Sequence, residues 1–482
     1  MTEEYSGEVK PHALFVAIPF QGHFTPSANL AVLLAARGFI VTFVTTEAFH
    51  HQLLASSGAG AEVFAGARSR GLDIRHQLVS DGRLQSPTTD ERPLRNLSYA
   101  LLHLMSPHVE QLMIKLSAGG GAGDPPVDVL VADSYFVWPS TLAKRFGIPY
   151  VSFWTEPALV FALFYHLPLL LPPPENRTST ITRVPGVPAI EPRDLVSFFH
   201  TPEASSLTLQ MIGKAFEEAK AADFVLCNTV EELEASTVAA LQEYYSGARF
   251  YSIGPIMDFP GGAVSTSIFP ESDCSRWLDA MPLRSVLYIS FGSAVQVSKR
   301  DLNEIAGGVL SSGVRFLWVL RPGSEQLPEG FEEASRGRGG LVVPWCRQRE
   351  VLLHPAVGGF LTHCGWNSVL ESMRCGVPML CFPQAADQPT NRKLVVDVRA
   401  GIDIGGAGEV DSAEVAKAID GLIGGEVGSE VRREMERVRK VLGECSGSRR
   451  FIFQERNSVC RGTDQRLIGE EDSELISPTI EL

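Results

Sequence analysis

The sequence predicts an α/β protein made of two successive doubly wound parallel-sheet halves that face each other across a cleft. Two series of short apolar runs alternate with helix-spaced stretches, one series opening at His12 and the other at Ser285. Between them lies a stretch rich in Gly, Pro and Ser, Met257 to Asp273, that reads as a linker. The length of 482 residues leaves room for two or three domains with buried cores.

In the first half, His12 to Pro19 and Ile40 to Thr46 are predicted strands, and Ser27 to Arg37 is a helix ending at Gly38. The connecting loop is Phe20 to Pro26, which places His23 on a loop. Asp128 to Ala132 is a strand that ends at Asp133, and Pro139 to Phe146 is the helix after it. Tyr150 to Thr155 and Phe224 to Thr229 continue the same sheet. The Gly-rich run Ala118 to Asp124 follows a helix, so it is a flexible loop and not a dinucleotide fingerprint. Residues Leu167 to Arg193 are expected to be irregular. Tyr251 to Pro255 closes this half, giving a first domain over 1–255 and a linker over 256–274.

The second domain, 275–445, opens with a strand at Ser285 to Ser290 and the tight loop Phe291-Gly292-Ser293. Phe316 to Arg321 and Leu341 to Pro344 are further strands. Val357 to Thr362 is a short buried strand, His363 to Ser368 a turn, and Val369 to Arg374 the helix that follows. From 446 to 482 the chain is expected to be a divergent tail, polar and acidic beyond Arg461 and partly disordered.

The densest chemistry lies between Trp345 and Gln388. A helix start presents unpaired N–H groups and partial positive charge, which suits a phosphate. Gly365 permits close backbone approach, and His363, Asn367 and Ser368 can hydrogen-bond oxyanions. Glu371 could accept from a ribose diol, Trp345 could stack on a base, and Asp387-Gln388 could take sugar hydroxyls. Each also has a plain structural use. Ser368 and Glu371 form a capping-box pattern, His363 could be a packed histidine and Trp345 a core anchor. In the first half, His23 and Asp133 both sit at carboxyl ends of strands, so they can meet in one cleft. A histidine near neutral pKa suits proton removal from a hydroxyl, and a carboxylate on its other nitrogen fixes the tautomer. The structural alternative makes Asp133 a cap for the following helix and packs His23 against a turn.

Composition narrows the class. Net charge of −14 argues against a nucleic-acid partner, which would want a basic face. The eight cysteines are scattered without CxxC or zinc spacing, as expected of reduced thiols in a cytoplasmic protein. The start, MTEEYSGEVK, is no secretory signal, and the apolar stretch Pro157 to Pro174 holds His166 and several prolines, so no membrane span is expected. The absence of G-x-S-x-G and of G-x-G-x-x-G after the first strand counts against a serine hydrolase and a nicotinamide enzyme.

Taken as an ordered set, these residues resemble the signature of the plant family 1 UDP-dependent glycosyltransferases. The matching pieces are Trp345 with Gln348, His354 to Phe360, Thr362 to Ser368, Leu370 to Ser372, G-V-P-M and Asp387-Gln388. Gly22, His23 and Pro26, and the Asp133-x-x-x-x-Trp138 context, resemble the family's catalytic His and its supporting Asp. The resemblance implies the GT-B fold and inverting transfer of glucose from UDP-glucose to a hydroxyl of a small, largely apolar acceptor. It implies that Trp345 stacks on uracil, Gln348 helps hold the uridine, and Glu371 binds the ribose. Ser293, His363, Gly365, Asn367 and Ser368 would serve the phosphates, and Trp366, Asp387 and Gln388 the sugar. No metal and no cofactor beyond the donor are expected, and the protein is expected to be a monomer.

Three positions depart from the pattern. Arg347 replaces a usual proline, Ala385 stands where a bulky residue is common, and the tail from Cys445 does not look like the usual final helix. These leave open a rival reading, a catalytically impaired UDP-sugar-binding protein with an interaction role. The Phe- and Leu-rich run Phe153 to Leu171 suits either an acceptor pocket or a core.

Overall fold

The computed structural model describes residues 10–57, 62–82, 104–118, 125–170, 180–200, 207–245, 249–257, 264–406 and 408–448. Seven parallel strands form the first sheet: β1 (His12–Val16), β2 (Ile40–Thr46), β3 (Ile74–Val79), β4 (Val129–Asp133), β5 (Tyr150–Trp154), β6 (Phe224–Cys227) and β7 (Phe250–Ser252). Their spatial order is β3-β2-β1-β4-β5-β6-β7. The second sheet holds β8 (Val286–Ser290), β9 (Arg315–Val319), β10 (Gly340–Val343), β11 (Val357–Thr362), β12 (Met379–Cys381) and β13 (Gly401–Asp403). Its six strands run β10-β9-β8-β11-β12-β13.

The inner strands are largely apolar because both faces of each sheet are covered, whereas the edge strand β3 carries Arg75, His76 and Gln77. In β1, Leu14 and Val16 enter one core while Ala13 and Phe15 enter the core on the opposite face. In β8, Val286 and Tyr288 face one side, Leu287 and Ile289 the other. Period-2 alternation thus divides each run between two layers of helices. Strand order reverses between β1 and β4 in one sheet and between β8 and β11 in the other, and such switch points open the crevice in which ligands bind.

Five helices position the site: α1 (Gln21–Ala36), α2 (Gln348–Leu353), α3 (Trp366–Cys375), α4 (Gln388–Asp397) and α5 (Glu426–Ser448). Two of them correct the sequence reading. Helix α1 begins at Gln21 and carries Pro26 inside it, so His23 lies in its first turn and not on a loop. A proline that close to a helix start forfeits a single intrahelical bond, which the rest of the helix outweighs. Helix α3 begins at Trp366 with Gly365 as its N-cap, so Asn367 and Ser368 are helical and no capping box forms.

The expectation for Leu167 to Arg193 is met in part. A short helix spans Leu167–Leu170, a 3-10 turn spans Pro192–Asp194, and Ile181 bridges Ile190. The run after β5 is core: Ala158 to Phe164 are buried, and Phe161 and Phe164 pack with Trp154 and Phe216. Helix α5 continues to Ser448, past the predicted break at Cys445, and buries Met435, Val438 and Leu442 beside α3. The rest of the tail, 449–482, and most of the Gly-rich run lie outside the described residues. No described helix is long and apolar enough to cross a membrane.

The two halves are joined by specific bonds. Ser197 and Ala386 exchange hydrogen bonds, the Ser197 N–H giving to the Ala386 carbonyl at 2.9 Å and the Ala386 N–H to Ser197 Oγ at 2.8 Å. Arg392, buried, pairs with Asp194 and with Asp403, and Thr390 Oγ1 donates to the Asp194 carbonyl at 2.7 Å. The linker also makes contacts on both sides. Ser56 Oγ donates to the Ser267 carbonyl at 2.6 Å, and the Ser272 N–H donates to the Trp345 carbonyl at 2.9 Å.

Candidate active site

His23, in the first turn of α1, and Asp133, the last residue of β4, come together at the first switch point. His23 Nδ1 lies 2.8 Å from Asp133 Oδ2, with 19% of the His23 side chain exposed and 1% of Asp133. Asp133 does not cap the following helix, which starts at Pro139 with Trp138 as N-cap. Its other oxygen, Oδ1, accepts from the Tyr135 N–H at 3.0 Å. An ionised carboxylate can only accept, so Nδ1 carries hydrogen and Nε2 keeps its lone pair. Burial opposes charge on the ring, but Asp133, by its charge and its hydrogen bond, and Asp387 more weakly, together hold the His23 pKa above the ordinary 6.5.

Sequence reading missed three neighbours at the same carboxyl edge. Thr155 Oγ1 is 3.1 Å from His23 Nδ1, and the Tyr135 ring meets the imidazole edge-on with centroids 5.4 Å apart. The Tyr135 hydroxyl donates to Glu156, 3.2 Å from one carboxylate oxygen and 3.3 Å from the other. Burial first, then the charges of Asp387 and Asp133, hold the Glu156 carboxyl well above the usual range, against the Tyr135 hydrogen bond. The signal available was position alone, since all three directly follow β4 or β5.

At the second switch point the loop after β8 faces the start of α3. Gly292 and Gly365 both flank the His363 ring, and a Cβ on either would stand 2.6 Å or 2.5 Å from His363 Nε2. Gly365 was expected to make room for a ligand; in the fold it makes room for this imidazole. Burial drives the His363 pKa down to about 4, against a backbone hydrogen bond with Ser290, and the charge of Arg321 lowers it further. The ring is therefore neutral at physiological pH. Arg321, also missed, donates Nη1 to the Ser293 carbonyl at 2.6 Å and Nη2 to the Val295 carbonyl, which holds the loop against the strand ends.

Gln348 sits at the hub of a network. Its amide nitrogen donates to Ser368 Oγ at 2.9 Å and to Glu371 Oε2 at 2.7 Å, while its oxygen accepts from the Tyr288 hydroxyl at 3.2 Å. Trp345 is partly buried and leans on Phe269 with centroids 4.9 Å apart. Arg347, in place of proline, is exposed and bridges Glu271 at 2.9 Å and Glu350 at 3.1 Å, so it ties this loop to the linker.

The residues expected at the sugar divide. Asp387 accepts from Asn391 Nδ2 at 2.5 Å, and burial raises its pKa although Asn391 and the His23 charge pull the other way. Asp387 and His23 thus sense each other across the cleft. Gln388 Oε1 accepts the N–H groups of Gln384 and Ala385 at 2.9 Å and 3.0 Å, which leaves its amide nitrogen for a ligand. The indole of Trp366 is only 4% exposed and its N–H donates to the Asn228 carbonyl at 2.7 Å. That side chain serves the domain seam, and what Trp366 can offer a ligand is its backbone N–H at the helix start. Asn367 likewise reaches across, donating Nδ2 to the Gly22 carbonyl at 2.8 Å.

Residues 204–439 match the family described as UDP-glucoronosyl and UDP-glucosyl transferase. UDP-glycosyltransferase 86A2 of Arabidopsis thaliana is 49% identical over 412 residues, 82% of this chain and 83% of the relative. The (R)-mandelonitrile beta-glucosyltransferase of Prunus dulcis is 34% identical over 456 residues, 88% of this chain and 91% of that one. Among solved structures, Os79 from O. sativa in complex with UDP superimposes with a TM-score of 0.75 at 26% identity, covering 90% of this chain and 99% of that one. A UDP-glucosyltransferase from Polygonum tinctorium gives 0.75 at 28% identity, covering 95% and 97%. With two switch-point sites facing one cleft and relatives of this likeness, the chain belongs to the plant family 1 UDP-dependent glycosyltransferases, GT-B enzymes that transfer sugar from a UDP-sugar to small acceptors.

Proposed function

We propose that the protein is an inverting glucosyltransferase that moves glucose from UDP-glucose to a hydroxyl of a small, largely apolar acceptor. The observation that carries this reading is the His23 Nδ1–Asp133 Oδ2 contact of 2.8 Å, at the mouth of one sheet and opposite the helix start of the other. His23 Nε2 takes the proton from the acceptor hydroxyl, and Asp133 stabilises the imidazolium so formed. The acceptor oxygen bonds to C1 of the α-linked glucose on the face opposite the diphosphate. The C1–O bond to UDP breaks and its electron pair leaves with the diphosphate, so a β-glucoside results.

The leaving charge is met by neutral donors: the first-turn N–H groups of α3, Ser368, Ser293 and the neutral His363. Trp345 stacks on uracil. Gln348 fixes Glu371 and Ser368, so that Glu371 meets the ribose and Ser368 the phosphates. Asp387 and the Gln388 amide take glucose hydroxyls. No cofactor beyond the donor enters the scheme. Support for a β-product comes from the beta-glucosyltransferase among the relatives.

The test is UDP release from UDP-glucose against a panel of flavonoid, terpenoid and phenolic alcohols, with UDP-galactose in parallel. Acceptor-dependent turnover with UDP-glucose, lowered about 10²–10⁴-fold by His23→Ala, is expected. Tight UDP binding without turnover on any acceptor would favour the impaired binding protein instead.

A further inference from the structure

Pro26 lies five residues beyond the first residue of α1, where the helix should otherwise be fully bonded. A proline has no N–H, and its ring crowds the carbonyl four residues back. That carbonyl belongs to Gly22, the residue before His23. It lacks the intrahelical donor that residue 26 would otherwise supply. Asn367 fills the vacancy from the other domain, its Nδ2 lying 2.8 Å from the Gly22 oxygen. The preceding residue does the same at a second point, Trp366 Nε1 donating to the Asn228 carbonyl at 2.7 Å. The first two residues of α3, at the helix start facing the phosphates, are therefore fastened to two backbone carbonyls of the acceptor half. One of those carbonyls is covalently next to the base.

We propose that Asn367 is a positioning residue for His23, registering the base against the phosphate-binding helix through the Gly22 carbonyl that Pro26 leaves open. The inference rests on the reading of His23 as the base. It adds a direct link between donor and acceptor sites. A diphosphate that orders the start of α3 also sets the turn of α1 that aims the imidazole, so proton removal is coupled to an occupied donor site. Gly22 itself is not demanded by space, since a Cβ there would meet nothing within 4 Å. The essential partners are Pro26, the Gly22 carbonyl and the Asn367 amide.

The decisive experiment is a cycle of Pro26→Ala, Asn367→Ala and the double variant. Each is measured by UDP affinity, thermal midpoint and steady-state kinetics with an acceptor found in the panel. Pro26→Ala restores an N–H to the Gly22 carbonyl and lets it turn back into the helix, without touching any residue of the donor site. It should keep its thermal midpoint and bind UDP within about twofold of the wild type. Its kcat should fall about three- to tenfold with little change in acceptor KM, the loss expected for one hydrogen bond. Asn367→Ala should lose at least as much kcat and some UDP affinity, and the double variant should be no slower than Asn367→Ala alone. A Pro26→Ala enzyme with wild-type kcat, or losses that multiply in the double variant, would overturn the proposal. Should Pro26→Ala prove unstable, Asn367→Leu, which keeps the bulk and removes the donor, carries the same kcat-against-KM criterion. His23→Ala separates the two ideas. If it retains wild-type turnover the base assignment fails, whereas an inactive His23→Ala beside a multiplicative cycle sinks the Asn367 link alone.

Discussion

Asp133→Asn isolates the carboxylate's part in the His23 pair. The substitution keeps the shape of a side chain that is 1% exposed, so packing is preserved while the charge is lost. An amide can turn its NH₂ toward Nδ1 and put the imidazole hydrogen on Nε2, the tautomer that cannot act as base. The pair is a charge-assisted hydrogen bond of 2.8 Å, and such bonds contribute about 1.5–3 kcal/mol. At about 1.36 kcal/mol per decade, kcat/KM should fall roughly 10- to 150-fold. His23→Ala should cost more, about 10²–10⁴-fold, and adding Asp133→Asn to it should cost nothing further, because the carboxylate acts only through the ring. The pH profile supplies a second, independent sign. Activity must rise with pH as His23 becomes neutral, and its raised pKa puts that limb above 6.5 in the wild type. With Asp133 neutralised, burial is opposed only by the more distant Asp387, so the limb should move to lower pH. The assay is continuous UDP detection from pH 5 to 9. A limb that stays in place, or a double variant far slower than His23→Ala, would refute the reasoning.

Three further outcomes follow from the same geometry. Gly365→Ala puts a Cβ 2.5 Å from His363 Nε2, so the ring must move, and UDP affinity measured by calorimetry should fall at least about tenfold. Arg392→Met removes one member of a buried pair and leaves Asp194 without its cation; a loss of about 3 kcal/mol in urea unfolding is expected, whereas an unchanged midpoint would show that the seam does not depend on this pair. His363 and His76 both have folded pKa values near 4, burial being the larger cause in each, against about 6.5 unfolded. The unfolded chain therefore binds more protons between these values, and stability should decline as pH falls from about 6.5 to 4, by at most about 3.4 kcal/mol per histidine. His76→Gln should remove its share of that slope, and urea titrations across this range check it.

The inner strands of both sheets were legible from the sequence because the apolar period is a local property, while the edge strands β3, with Arg75, His76 and Gln77 in it, and the three-residue β13 were not read. Val357 to Thr362 and Ile40 to Thr46 were read with the bounds the fold shows. Trp345, Gln348, His363, Ser368 and Glu371, proposed to hold the donor, lie within one stretch whose order carried the resemblance, and the fold brings Gln348, Ser368 and Glu371 into one hydrogen-bond network. Helix starts were less legible. Phe20 to Pro26 was read as a loop and Ser368 as a possible cap, yet the helices begin at Gln21 and Trp366, because tertiary packing outweighs a missing bond or an absent cap.

What no local window contains is how one half docks on the other. That Asn367 meets Gly22, that Trp366 gives its indole N–H to Asn228, and that the Asp387 charge acts on both His23 and Glu156 all depend on it. Composition and periodicity act over a turn or a strand, and so determined two doubly wound sheets and the chemistry along each edge. The pKa of His23 is set by Asp133 from the same sheet and, more weakly, by Asp387 across the cleft, and the first residues of α3 find their partners on the other half; only the tertiary structure decided those.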